Sequence, residues 1–148
     1  MATWVEYLKK DTLFSNAIRL QHLVWTILHY VPKGSRILET GFGSGMTSIL
    51  LADLGYSVTA LDIDEKSVRI VKEKFPHFTN SGKFTVLNGD MFTLPLQTKS
   101  FALVYHQGVL EHFSDQDIIL ALKENGRVAE LVIFDVPNSR SKLQDFGD

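Results

Sequence analysis

The stretch Ile37-Leu38-Glu39-Thr40-Gly41-Phe42-Gly43-Ser44-Gly45 constrains this chain more than any other. A short apolar run ends in an acidic residue, glycine then occupies three alternate positions, and the helical composition of Met46 to Leu54 follows. Glycine at alternate positions lets a backbone turn sharply and come close to a ligand with no side chain in between. The stretch therefore predicts strand, loop and helix, with a nucleotide-like ligand at the loop; a tight turn that is merely glycine-rich is the bland alternative. A dinucleotide fingerprint spaces its glycines G-x-G-x-x-G and sets pyrophosphate on the helix N-terminus. Here the spacing is G-x-G-x-G behind Glu39. A carboxylate at that point repels pyrophosphate but can serve the ammonium of an amino-acid moiety, directly or through water.

The rest of the chain repeats the alternation. Phe14, Ala17, Ile18, Leu20, Val24, Trp25, Ile27 and Leu28 recur at helical spacing between Thr12 and Val31, and Pro32-Lys33-Gly34 ends that helix. Strands are predicted at Arg36 to Leu38, Ser57 to Leu61, Lys83 to Leu87, Phe101 to Tyr105 and Leu131 to Val136. Gly55 closes the helix after the glycine loop. Asp64 caps a helix that runs through Phe75 to a stop at Pro76, and Ser114 caps another through Leu122. Asn125-Gly126 weakens its continuation toward Val128. Strands alternating with helices imply an α/β fold, a doubly wound, mainly parallel sheet of about five strands. The 148 residues fit one domain: an N-terminal helical lid over 1–31, an α/β core over 35–138 and a tail over 139–148.

Fifteen Lys and Arg against seventeen Asp and Glu leave a net charge of −2 and no global basic field to hold a polyanion, so nucleic acid is not an expected partner. The absence of cysteine removes disulfides, thiolate metal sites and thiol catalysis, and is read as cytoplasmic. No apolar stretch has the length of a signal or a membrane span, so no membrane partner is expected.

Glu39, Gly41, Gly43 and Gly45 resemble motif I of class I S-adenosylmethionine-dependent methyltransferases, where the acid and the glycine loop hold the methionine part of S-adenosylmethionine. Further stretches follow in the family's order. Asp62 lies 21 residues after Gly41, where a carboxylate can accept from both hydroxyls of a ribose; Asp64 is the better helix cap, and Ile63 would flank the adenine. Asn88-Gly89-Asp90-Met91 resembles the family's Gly-Asp step, which gives Asp90 the adenine amine and Met91 the ring, although Met91 reads equally well as core. Tyr105-His106-Gln107-Gly108-Val109-Leu110-Glu111-His112-Phe113 is similar to the family's Val-Leu-Glu-His segment beside the transferred methyl. That places His106, Gln107 and Gly108 at the cofactor and substrate wall, with His112 either functional or structural. Ala102 stands where the family often has an acid early in the fourth strand.

The resemblance implies S-adenosylmethionine as cofactor, S-adenosylhomocysteine as product, and direct displacement at the sulfonium methyl onto a small or medium organic acceptor. Alignment and water exclusion can lower such a barrier by about 7 kcal/mol or more, so a dedicated base is not required. Where one is used, His106 is the first choice, then Tyr105 and His112. Trp4, Tyr7, Phe14, His22, Trp25, His29 and Tyr30 either cover the acceptor pocket or pack on the sheet. Relatives carry seven strands, so the usual β6-β7 hairpin is expected to be absent. The fifth strand then forms an open edge, for which a homodimer is the expected cover. The alternatives are a non-catalytic S-adenosylmethionine-binding subunit or sensor and the truncated core of a larger methyltransferase. A nicotinamide-binding domain fails on the glycine spacing.

Overall fold

The computed structural model describes residues 13–137, with backbone alone for 13–20. In chain order the elements are α1 (Leu13–Tyr30), β1 (Arg36–Thr40), α2 (Met46–Asp53), β2 (Ser57–Asp62), α3 (Glu65–Lys74), α4 (Pro76–Thr79), β3 (Phe84–Asn88), β4 (Phe101–Gln107), a 3-10 turn (Leu110–His112), α5 (Asp115–Val128) and β5 (Ala129–Asp135). The five strands are all parallel, in the order β3-β2-β1-β4-β5. The chain steps outward from β1 to β3 and then returns to the other side of β1. The β1/β4 boundary is therefore a topological switch point, where a crevice opens outside the carboxyl ends of the strands.

Local chemistry accounts for the boundaries. The Asp64 side chain accepts from the backbone N–H groups of Lys66 (3.1 Å) and Ser67 (3.2 Å), and Ser114 Oγ accepts from Asp117 N (3.3 Å), satisfying donors that a helix start leaves open. Pro76 does more than end α3: it opens α4 at a position whose N–H has no intrahelical partner. α5 runs unbroken through Asn125-Gly126 to Val128, where sequence propensity weakens it. Tertiary bonds override the propensity, since Lys99 Nζ donates to the Gly126 (2.9 Å) and Ala129 (2.6 Å) carbonyls. β1 and β4 each run two residues beyond their predicted ends, bringing Glu39, Thr40, His106 and Gln107 into the sheet.

Helices cover both faces. On one, Leu23, Val24 and Ile27 of α1, Ile49 and Leu51 of α2, and Val68 and Val71 of α3 pack with Ile37, Val58, Leu103 and Tyr105 of the sheet. On the other, Leu38, Leu61 and Val104 pack with Leu94 and Val128. The predicted apolar face of α1 is corrected in part: Trp25 is 68% exposed and Leu28 38%, because the inner stripe is Leu23, Val24, Ile27 and Val31. His22, His29 and Tyr30 are also exposed, so none of these four polar or aromatic residues packs on the sheet. Trp4 and Tyr7, and the side chain of Phe14, lie outside the described residues. Among the described residues β5 is an edge strand, with no sixth strand beside it. No helix there is long and apolar enough to cross a membrane.

Candidate functional site

Alternation along β1 turns Glu39 inward at the strand's carboxyl end, where it is 4% exposed. Its Oε2 accepts from Ser48 Oγ of α2 and from Tyr105 Oη of β4, the latter at 3.0 Å. Burial pushes the carboxyl up to about 7, against the lowering effect of both hydroxyls, and Asp62 pushes in the same upward direction. Burial and the adjacent Glu39 hold the Tyr105 hydroxyl well above its usual range, so it is a neutral donor. Both hydroxyls fall on Oε2, and the Ser48 backbone N–H also favours the ionised carboxyl. Ser48 was not legible as a functional residue; the one signal is a small hydroxyl in the first turn of the helix after the glycine loop.

Gly41, Gly43 and Gly45 all take left-handed conformations, with φ of 71°, 52° and 71°. A Cβ on Gly41 would sit 2.8 Å from Val109 Cγ2, so that position also needs the missing side chain for space. The loop is tied to β2: Gly41 N donates to the Leu61 carbonyl (2.8 Å) and Gly43 N to Asp62 Oδ2 (3.1 Å), while Asp62 Oδ1 accepts from Asp64 N (3.0 Å). Each Asp62 oxygen thus accepts one hydrogen bond, and a carboxylate has about four acceptor positions. Ile63 stands beside it, 72% exposed.

Beyond β3, Gly89 N and Asn88 Nδ2 both donate to the Asp62 carbonyl at 3.0 Å. Asp90 Oδ1 accepts from Phe92 N (2.9 Å), leaving Oδ2 open. Met91 is buried and packs with Leu110 and Ala121. At the end of β4, Gln107 Nε2 donates to Asp135 Oδ2 (3.2 Å) and Gly108 N to the Asp135 carbonyl (3.0 Å).

The three residues read as possible bases are not equivalent. Tyr105 spends its hydroxyl on Glu39. His106 is wholly buried, stacks on Phe134 with ring centroids 5.5 Å apart, and neither ring nitrogen has a partner. Burial pushes it down to about 4, so it is neutral at physiological pH. His112 alone is exposed.

The strand order sets Asp90, Asp62, Glu39 and Gln107 on four neighbouring strand ends along one rim of the sheet, with Asp62 and Gln107 two residues further along their strands than Glu39 and Asp90 just beyond β3. A family model described as a methyltransferase domain matches residues 37–130, the segment that builds this rim. The chain belongs to the class I, Rossmann-like S-adenosylmethionine-dependent methyltransferases. This methyltransferase domain is 32% identical over 98 residues to a Mycolicibacterium smegmatis protein named "Probable S-adenosylmethionine-dependent methyltransferase", across 66% of the chain and 36% of that protein. It is 31% identical over 114 residues to magnesium-protoporphyrin O-methyltransferase of Rhodobacter capsulatus, across 76% of the chain and 50% of that protein. The chain therefore spans about a third to a half of these relatives. In fold it is similar to a Pyrococcus horikoshii protein (TM-score 0.72, 22% identity, 93% of this chain and 62% of that one) and to a SAM-dependent methyltransferase from Aquifex aeolicus (TM-score 0.69, 19% identity, 87% and 68%).

The family's cofactor is S-adenosylmethionine, and the donors on that molecule suit the acceptors on the rim. An adenine amine, a ribose diol and an ammonium occur in sequence along it; acidic side chains occur in the same sequence at Asp90, Asp62 and Glu39.

Proposed function

We propose that this methyltransferase domain binds S-adenosylmethionine along the rim from Asp90 to Gln107 and catalyses methyl transfer to a small or medium organic acceptor. The observation that carries the reading is Glu39: a buried acid at the carboxyl end of β1, immediately before the glycine loop, with one oxygen held by Ser48 and Tyr105. Asp62 takes the ribose hydroxyls, Asp90 the adenine amine, with Ile63 and Met91 beside the base. Gly41, Gly43 and Gly45 admit the methionine part, and Gln107 and Gly108 line its far side.

When bound, the cofactor supplies a methyl group on a sulfonium that already leaves readily. The chain's own contribution is to hold that group and the acceptor in line and to exclude water, which can account for about 7 kcal/mol or more of barrier reduction. The burial of His106 and the engaged Tyr105 hydroxyl favour alignment over a dedicated base. Calorimetry with S-adenosylmethionine, S-adenosylhomocysteine and NAD tests the site, and an acceptor panel tests turnover. Binding of NAD alone overturns the reading; cofactor binding without turnover reduces it to a non-catalytic binding subunit or to the core of a larger enzyme.

We place the domain in the cytoplasm on its cysteine-free composition. The β5 edge leaves Leu131 and Phe134 exposed at 36% and 46%, with Val136 just past the strand at 43%, and an apolar edge is normally covered. A second copy of the chain is our proposed cover, and sedimentation of a well-behaved monomer at micromolar concentration overturns it.

A further inference from the structure

The connection from β3 to β4 spans residues 89–100 and contains no helix, although Leu94 within it is buried. Its order comes from hydrogen bonds to α5. Glu124 Oε1 accepts from Leu94 N at 2.8 Å, and Arg127 donates to the Leu96 (2.9 Å) and Leu94 (3.0 Å) carbonyls. The same guanidinium donates to both Glu124 oxygens, at 2.8 and 2.7 Å. One forked pair thus holds a donor and two acceptors of an otherwise irregular backbone, a geometry that a planar guanidinium suits. From there tight turns run to the rim: Leu96 N donates to the Leu94 carbonyl (2.8 Å), Thr93 N to the Asp90 carbonyl (3.2 Å), Phe92 N to Asp90 Oδ1 (2.9 Å), and Gly89 N to the Asp62 carbonyl (3.0 Å). The connection is tied to β2 at one end and to α5 at the other, with Asp90 and Met91 between.

We propose that Glu124 and Arg127 are positioning residues for the adenosine half of the site, acting through the Gly89–Leu96 backbone on Asp90. The proposal rests on Asp90 as the acceptor of the adenine amine. The pair itself is partly exposed, with side chains 35% and 18% accessible for Arg127 and Glu124. An exposed ion pair is worth little by itself; its value here lies in the backbone groups it holds.

The test uses the full chain with two probes, S-adenosylhomocysteine and S-inosylhomocysteine, which differ at the base's exocyclic amine. It also follows amide exchange of Phe92 and Leu94. Arg127→Ala is compared with Arg127→Lys, which keeps the charge and the stem but lacks the fork, so the second variant carries the test if the first does not fold. Both are expected to speed exchange at the two amides. Both should also weaken S-adenosylhomocysteine about tenfold while changing S-inosylhomocysteine little, because an indirect displacement of a contact has effects of this order or larger. Faster exchange with an unchanged preference between the probes overturns the positioning role, as does equal weakening of both. A wild-type chain that binds both probes equally overturns instead the reading of Asp90 on which the proposal stands.

Discussion

Tyr105 Oη lies 3.0 Å from Glu39 Oε2 across the β1/β4 boundary, and the register of the two parallel strands sets these residues side by side. This bond draws on the fold's switch point: β4 returns beside β1 there, and its hydroxyl steadies the acid near the end of the first strand. Tyr105→Phe removes a bond that holds the Glu39 carboxyl down. Its protonation should therefore move above 7, and the pH at which S-adenosylmethionine affinity reaches half its maximum should move up with it. Calorimetry across pH 5 to 9 reads the shift; an unmoved midpoint would remove Glu39 from the ammonium site.

Glu39 and His106 oppose each other in the pH dependence of stability. The folded pKa of Glu39 is raised from 4.5 to about 7, so its contribution is fully present below 4.5 and is lost as pH rises through 7. The folded pKa of His106 is lowered from 6.5 to about 4, so its contribution is present above 6.5 and is lost as pH falls through 4. Each is worth about 3 kcal/mol at most, and between pH 4.5 and 6.5 they largely cancel. Glu39→Gln should leave a stability that climbs with pH through that range, and His106→Phe one that falls. Urea melts of the two variants at several pH values check both signs.

His106→Phe carries a second expectation. The histidine is sealed with both ring nitrogens unpartnered, so an aromatic ring without polar atoms should cost nothing at pH 7 and can stabilise by about 1 kcal/mol. Methyl transfer should survive. Loss of turnover with cofactor affinity intact would instead show His106 acting as a base.

Gly41→Ala should destabilise the chain by about 1–2 kcal/mol through its left-handed φ. The 2.8 Å approach to Val109 Cγ2 adds to this. Shortening the neighbour in Gly41→Ala/Val109→Ala should recover the crowding but not the backbone cost. A double-mutant cycle in thermal melts separates the two, and additivity would mean that no contact forms.

Asp62→Ala should lower S-adenosylhomocysteine affinity about a hundredfold, since two hydrogen bonds to a charged acceptor are lost at about 1.5 kcal/mol each. Because Gly43 N also uses this carboxylate, Asp62→Asn, which keeps one acceptor oxygen, should restore loop order sooner than affinity. Amide exchange at Gly43 beside calorimetry distinguishes the two.

Much of this protein was legible in the residues alone. Periodicities of two and 3.6, together with turn and capping residues at Gly55, Asp64 and Ser114, specify local conformation, and those rules act within a few positions of the chain. The strand–glycine–helix unit and its acidic neighbours are local in the same sense, which is why Glu39, the three glycines, Asp62 and Asp90 stand out before any fold is known. What no local rule contains is which side chains meet across strands. Tyr105 and His106 are adjacent in sequence, yet the pleat sends them to opposite faces: one becomes a partner of Glu39 and Ser48, the other a sealed ring against Phe134. α5 keeps its last turn through Asn125-Gly126 for the same reason, because Lys99 and the Glu124–Arg127 fork meet groups about 30 residues away in sequence. Sequence determined the elements and the chemistry at their ends; only tertiary structure decided partners and burial, because both depend on contacts between residues far apart in the chain.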